Sequence, residues 1–104
     1  MAYIDPMALQ SAVWDGAASA KIDYTGTAAT NGSDLTAGTY YAIATTAVYF
    51  RQIANGGSAA TSSDNYMPAN TPFLIQVTAA GNARVSVVRV SSNGSLYVMK
   101  PSGG

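Results

Sequence analysis

Apolar and polar residues alternate along much of this chain with the two-residue period that is typical of β-strands. The longest stretch of this kind covers residues 38–53 and is dense in β-branched and aromatic residues. It is too long for one ordinary strand, so we predict two strands that meet at Thr45 and Thr46. The period places Tyr41 and Ile43 on one face of the first of these strands.

Shorter stretches on both sides of this region show the same period. Residues 17–25 alternate as a half-exposed antiparallel strand does, with Ala20, Ile22 and Tyr24 on the apolar face. Three further strands are predicted in the second half of the chain, at residues 73–78, 83–90 and 95–100.

Turn-forming residues separate the predicted strands. Asn-Gly pairs at residues 31–32 and 93–94 favour tight turns with positive φ, and we predict that the second pair closes a β-hairpin. Residues 66–72 contain two prolines and are predicted to form an edge segment or a crossover, because proline cannot donate a hydrogen bond within a sheet. The polar residues 54–65 are predicted to form a flexible surface loop.

Six or seven short strands with regularly spaced turns predict an all-β fold. We expect an antiparallel β-sandwich with a jelly-roll-like arrangement, or a small barrel, preceded by an irregular N-terminal segment. The predicted boundaries are 1–16 for an N-terminal arm or docking segment, 17–100 for the β-sandwich domain and 101–104 for a flexible tail.

The N-terminal segment has no clean period but is rich in large apolar side chains, which are too numerous to remain in water. It either folds onto its own domain or leaves the domain as an arm that lies on a neighbour. In either case it must bury these side chains. We take four of them as candidate protein-interface residues: Tyr3, Ile4, Met7 and Trp14.

Charge is scarce and balanced in this sequence. Only 10% of the residues are charged, with five basic and five acidic side chains, against about 25% charged residues in an average soluble domain. A neutral chain has no electrostatic attraction for nucleic acid or for an anionic membrane, so we expect neither as a partner.

No apolar run is long enough to span a bilayer, and no signal-peptide pattern is present, so we expect the chain to remain where it is made.

The residue types needed for most catalytic and metal sites are missing. The chain has no histidine and no cysteine, which excludes Ser-His and Cys-His catalysis, imidazole acid-base chemistry and the usual zinc sites. The five aspartates lie in predicted turns or on polar strand faces, and none has the spacing of a calcium loop. We therefore expect a protein that is not an enzyme and has no catalytic residues, metal or cofactor. The seven tyrosines suit sheet surfaces, a protein interface or a ligand-stacking platform.

The second half of the chain resembles a recurrent pattern in small virion proteins of tailed bacteriophages. The segments that carry the resemblance are residues 40–51 (YYAIATTAVYFR), 65–72 (NYMPANTP), 83–88 (ARVSVV) and 92–98 (SNGSLYV). In that pattern a Val-Tyr-hydrophobic-Arg strand is followed by an aromatic-aliphatic-Pro-Ala-small-Thr-Pro segment, and a short Ser- and Gly-rich hairpin ends the domain. The likeness covers about residues 38–100 and consists of fold-forming residues, not of a functional site.

The resemblance implies a structural virion protein of the capsid decoration (cement) type, with a β-sandwich or jelly-roll fold. Such a protein would be made in the host cytoplasm, bind the outer capsid surface as a homodimer or homotrimer, and stabilise neighbouring major capsid protein subunits. Two alternatives remain: a carbohydrate-binding module that uses exposed tyrosines, and a tail or head-completion subunit with the same fold.

Overall fold

The computed structural model describes the backbone of residues 14–101 and the side chains of residues 19–100. This part of the chain contains β-strands, one short 3₁₀ turn at Ala80–Asn82 and no α-helix. The eight strands are β1 (Trp14–Tyr24), β2 (Ala29–Thr30), β3 (Gly38–Ala44), β4 (Val48–Ile53), β5 (Asn65–Met67), β6 (Phe73–Val77), β7 (Arg84–Arg89) and β8 (Gly94–Pro101). The predicted all-β fold is confirmed.

The strands form two antiparallel sheets of four strands each. Sheet 1 has the order β1-β8-β3-β6, and sheet 2 has the order β2-β7-β4-β5. The pairings are nested: the first described strand pairs with the last, the second with the seventh, the third with the sixth and the fourth with the fifth. The additional pairs β3–β8 and β4–β7 complete the sheets. Every connection except β4–β5 therefore passes from one sheet to the other.

One hydrophobic core lies between the two sheets. Its members include Tyr40 and Leu96 from sheet 1 and Val48 and Val87 from sheet 2, all fully buried. Because buried residues of both sheets belong to one cluster, the arrangement is sandwich-like. A tyrosine is accommodated in this core because the Tyr40 hydroxyl donates a hydrogen bond to the carbonyl oxygen of Thr36, at 2.7 Å.

The prediction that residues 38–53 form two strands is confirmed. These strands are β3 and β4, and they belong to different sheets, so the chain crosses between the sheets at residues 45–47. The buried side chains of β3 are Tyr40, Ala42 and Ala44. Tyr41 and Ile43 share a face as predicted, and this face is the outer one.

A buried hydroxyl holds the crossing in place. The Tyr24 hydroxyl donates to the carbonyl oxygen of Thr46 at 2.9 Å and accepts a hydrogen bond from the Thr46 backbone N–H at 3.0 Å. Gly94 lies directly beside this pair, since a Cβ atom at position 94 would come within 2.7 Å of the Tyr24 hydroxyl and 2.5 Å of Thr45 Oγ1. The absence of a side chain at Gly94 is thus a packing requirement.

The predicted hairpin at residues 93–94 is wrong. β7 lies in sheet 2 and β8 in sheet 1, so the segment between them is a crossover between sheets. Neither Asn-Gly pair adopts positive φ; among the described residues positive φ occurs at Gly38, Gly56 and Asn70. The local turn signal was overridden because long-range packing determines the path of the chain at both positions.

The first Asn-Gly pair has a different structural role from the one predicted. Asn31 is buried, and its Oδ1 accepts a hydrogen bond from the backbone N–H of Val85 at 2.8 Å, while its Nδ2 donates to the carbonyl oxygen of Ser33. The Asn31 side chain thereby satisfies a β7 backbone group just beyond the end of β2. The short strand β2 itself is not among the strands predicted from the sequence.

The remaining strand predictions agree with the structure within a few residues. β1 begins at Trp14, not at residue 17, and its pairing with β8 is interrupted by an irregularity between Asp15 and Ala20. Residues 66–72 were predicted to be an edge segment or a crossover: β5 is an edge strand of sheet 2, and the residues after it, which include both prolines, cross to β6 in sheet 1. In β7, the residues Val85, Ser86 and Val87 are all buried.

Candidate protein-binding surfaces

The residues predicted to form an interface lie at or beyond the start of the described chain. Trp14 is the first residue of β1, where its backbone pairs with Pro101 at the end of β8. Tyr3, Ile4 and Met7 lie outside the described residues, and their role stays a prediction.

The outer side of sheet 1 carries a contiguous set of apolar side chains, which we call the sheet 1 face: Tyr41, Ile43, Leu74, Tyr97 and Met99. Side chains alternate across a sheet, and the neighbours of these residues along their strands are the buried core residues. Tyr41 is paired with Leu74 on one side and with Met99 on the other, while Ile43 is paired with Tyr97. The five positions thus form one row of three across β6, β3 and β8 and an adjacent row of two across β3 and β8.

Two members of the sheet 1 face are strongly exposed. Leu74 is 58% exposed and Tyr97 is 38% exposed, although both are large and apolar. Leu74 lies on β6, which forms an edge of sheet 1, so only one strand flanks it. The sheet 1 face therefore presents two large apolar side chains to solvent.

The β1 side of the sheet 1 face is polar. Lys21 lies opposite Tyr97, with Nζ 5.9 Å from the ring centre and 3.7 Å from Asp23 Oδ1. Ser95 also donates a hydrogen bond to Asp23. The Ser95 hydrogen bond and then the Lys21 charge lower the pKa of Asp23, so this carboxylate is charged near neutral pH. The apolar surface therefore has a charged border on one side.

The outer side of sheet 2 carries a second apolar row, which we call the sheet 2 face: Tyr49, Tyr66 and Val88. Tyr49 lies between the other two across β5, β4 and β7. The rings of Tyr49 and Tyr66 meet edge to face with their centres 6.0 Å apart, and Tyr66 is 53% exposed. The pair presents a supported aromatic ring to solvent.

The loop between β4 and β5 contacts the outer side of sheet 2 at Ser86 of β7. Its Ala60 backbone N–H donates to Ser86 Oγ at 2.8 Å, and both residues are buried. The end of the loop is held by Asp64, which pairs with Arg51 at 2.9 Å and accepts a hydrogen bond from the Thr61 backbone N–H at 2.7 Å. These contacts, led by the Thr61 hydrogen bond, lower the pKa of Asp64. The predicted surface loop is thus attached to sheet 2 at both of these points.

The described part of the chain contains no group of three or more histidine, cysteine, aspartate or glutamate side chains that could hold a metal ion. A cavity of about 300 Å³ lies between residues 19–21 of β1 and residues 31–36. Its two charged residues are engaged with neighbours, Lys21 with Asp23 and Asp34 with Arg84. Residues 14–101 also contain no helix with the length and apolar character that crossing a membrane would require.

Sequence reasoning did not identify Leu74 and Tyr97 as exposed. The signal was present in part, because Leu74 occupies the alternate position between the inward-facing Phe73 and Ile75. The exposure itself depends on which strands lie beside β6 and on what covers the sheet, which the local pattern does not contain.

Comparison with protein-family models, with curated proteins and with solved structures found no match to this chain.

Proposed function

We propose that this chain is a structural virion protein that decorates the outer surface of a bacteriophage capsid. The observation that carries the proposal is the pair of partly exposed apolar faces on opposite sides of one small domain with few charged side chains and no net charge. A subunit that joins other subunits needs at least two contact surfaces, and the sheet 1 and sheet 2 faces provide them.

The strand order supports a jelly-roll fold within this proposal. The nested pairs are those of one long hairpin whose turn lies between β4 and β5. Rolling this hairpin up brings β3 beside β8 and β4 beside β7, which gives the two additional pairs. Eight strands in two such sheets are the arrangement of a jelly roll, which is used by viral capsid and lectin domains. Fold alone does not assign a function, so the proposal depends on the surfaces.

The sheet 2 face is the surface we assign to the major capsid protein. Burying the exposed half of the Tyr66 side chain would remove about 100 Å² from water, a contribution of about 2 kcal/mol. A dimer or trimer that engages several capsid subunits at once would add these contributions through avidity. The decorated capsid would be stabilised because the protein binds the assembled lattice and not free subunits.

Cosedimentation with capsids tests the assignment. Purified protein is added to heads of the encoding phage that lack it, and bound and free fractions are separated by centrifugation. We expect Tyr66→Ala to weaken binding at least tenfold and Tyr66→Phe, which keeps the ring, to bind like the wild type. Failure of the wild-type protein to bind heads would reject the proposal, and equal binding by Tyr66→Ala would reject the sheet 2 face as the contact.

Cryo-EM of the intact particle separates decoration from the related structural role. Density for the chain on the outer capsid lattice is expected. Density confined to the tail or to the head–tail connection would instead identify a tail or head-completion subunit.

A carbohydrate-binding role is the second candidate, and the sheet 2 face is the observation that favours it. The exposed Tyr66 ring offers a stacking platform for the apolar side of a sugar, and the ion pair of Arg51 and Asp64 lies on the same outer side of β4 and its loop. A glycan array would support this role if the wild-type protein bound a defined sugar and Tyr66→Ala lost that binding. No binding to any glycan would exclude it for the sugars on the array.

A further inference from the structure

The edge strand β6 lacks the features that protect the other sheet edges in residues 14–101. Those other edges are β1, β2 and β5. β1 carries the charged residues Lys21 and Asp23 and has an irregular pairing with β8, β2 has two residues, and β5 has three residues and is followed directly by Pro68. Charge, irregularity, shortness and proline all discourage the pairing of an edge with another strand. β6 has five residues, without a charge or a proline.

The backbone groups of Leu74 and Gln76 point away from sheet 1. The Thr45 N–H donates to the carbonyl oxygen of Ser95 at 3.0 Å, so these two residues are a hydrogen-bonded pair of β3 and β8. Such pairs alternate along an antiparallel ladder, and the even-numbered residues of β3 therefore direct their N–H and carbonyl groups to β6. Their partners on β6 are the odd-numbered residues. The groups of the even-numbered residues of β6 are left on the open side of the strand.

The Gln52 side chain agrees with this orientation. Its Nε2 donates to the carbonyl oxygen of Gln76 at 3.0 Å, so this carbonyl is not turned to β3. A carbonyl oxygen accepts two hydrogen bonds, and that of Gln76 keeps room for one more. No hydrogen bond within the described residues involves the N–H of Leu74 or Gln76 or the carbonyl of Leu74. β6 therefore offers two donors and two acceptors to another strand.

A second copy of β6 complements this pattern. When two β6 strands run antiparallel with residue 75 of each facing the other, Leu74 lies opposite Gln76 at two equivalent positions. Each position is a hydrogen-bonded pair, so both donors and both acceptors of each strand are used. The strand has no charge, so two copies bring no like charges together. The two-fold arrangement thus satisfies the edge without a different partner sequence.

The contact ends at residues 72 and 78. Pro72 has no N–H, and the Thr78 N–H already donates to Asn82 Oδ1 at 3.0 Å, so this next position adds no hydrogen bond through an N–H group. The paired segment is five residues, or about 16 Å, long. Such a contact is smaller than a standard interface, which buries about 800 Å² on each partner. A reversible association is therefore expected.

We infer that two copies of this chain associate through their β6 edges about a two-fold axis, so that their two sheets of order β1-β8-β3-β6 join into one eight-stranded sheet. The contact uses the edge of the domain and leaves the sheet 2 face open. This inference concerns self-association and stands whether or not the protein binds a capsid.

Cysteine crosslinking tests the contact and its register, because the natural chain contains no cysteine. The variants Leu74→Cys and Gln76→Cys are mixed and oxidised, and the linked peptides are identified by mass spectrometry. Each variant has one cysteine, so every link joins two copies. Residues of a hydrogen-bonded pair have Cα atoms about 5.5 Å apart, a distance that a disulfide spans.

The matched control replaces Gln76→Cys by Tyr66→Cys, since Tyr66 is exposed and lies on β5, an edge of the other sheet. We expect at least tenfold more Leu74–Gln76 linkage than Leu74–Tyr66 linkage. Equal linkage in the two mixtures, or linkage in neither, would overturn the inference.

Sedimentation velocity provides a measurement that does not depend on crosslinking. Leu74→Lys places like charges close together across the proposed strand pair, because the two copies of residue 74 are diagonal neighbours. We expect it to raise the dissociation constant of the dimer at least tenfold, while Tyr66→Lys leaves the constant unchanged; circular dichroism checks that both variants are folded. A wild-type protein that is monomeric at all accessible concentrations contradicts the inference, and so does a folded Leu74→Lys variant that is as dimeric as the wild type.

Discussion

Replacing Tyr24 by phenylalanine tests how the chain is held where it crosses between the sheets. The Tyr24 side chain is 1% exposed, and its hydroxyl pairs with both the N–H and the carbonyl oxygen of Thr46. Phenylalanine keeps the ring and its packing but removes the acceptor for the Thr46 N–H. The substitution therefore isolates the hydrogen bonds from the hydrophobic contribution of the residue.

The expected loss in free energy of unfolding is about 2 kcal/mol, since a partly buried backbone donor that loses its partner costs about 1–3 kcal/mol. Tyr40→Phe is the matched control. Tyr40 is equally buried, but its hydroxyl bonds only to groups of Thr36, an exposed residue that water can reach. We expect this control to lose about 0.5–1 kcal/mol, the ordinary net value of one hydrogen bond.

Urea unfolding monitored by circular dichroism measures both values. The midpoint should fall with an unchanged slope m, and thermal unfolding should shift by about 4–8 °C for each kcal/mol in a domain of this size. If Tyr24→Phe costs less than Tyr40→Phe, or if the two are equal, the Thr46 contacts do not hold the crossing and the reasoning is refuted.

Three further predictions concern other contacts. Gly94→Ala should destabilise the fold by about 1–3 kcal/mol, because the new methyl would overlap the Tyr24 and Thr45 hydroxyls, whereas Gly81→Ala, with open space at its Cβ position, should change the denaturation midpoint little. Ser86→Ala should leave the Ala60 N–H without its acceptor, and hydrogen–deuterium exchange at Ala60 should rise at least tenfold while exchange in β8 stays constant. The hydrogen bonds and the Arg51 charge hold the pKa of Asp64 below its ordinary value of 3.8. The Asp64 carboxylate therefore stabilises the fold at neutral pH, and this contribution is lost as the pH falls below 3.8. In urea unfolding at neutral and at acidic pH, Asp64→Asn should lose less stability between the two than the wild type does.

Local features of the fold could be predicted from the sequence because their causes are local. The alternation in residues 17–25 and 38–53 identifies strands, since a period of two residues places every second side chain on one face of a strand. The two prolines in residues 66–72 predicted an edge segment or a crossover, because proline cannot donate a hydrogen bond to a neighbouring strand. These predictions need no knowledge of the rest of the chain.

The pairing of the strands could not be predicted in the same way. The Asn-Gly signal at residues 93–94 is as strong as that of many hairpins, yet β8 pairs with β1 and β3 and not with β7. Likewise Tyr40 and Tyr41 are both suited to a core position, and which of them is buried depends on the face of β3 that packs into the core with Ala42 and Ala44. Both outcomes depend on residues that are distant in sequence or on the exact path of the backbone.

For the candidate surfaces too, some features follow from the sequence and others only from the tertiary structure. By itself the sequence determined an all-β chain of low charge, without histidine or cysteine, and an apolar N-terminal segment that requires burial. Only the tertiary structure decided that Leu74 and Tyr66 are exposed, and that they lie on opposite outer sides of the two sheets. The physical reason is that composition and period are properties of neighbouring residues, whereas exposure is determined by which strands lie alongside and by what covers them.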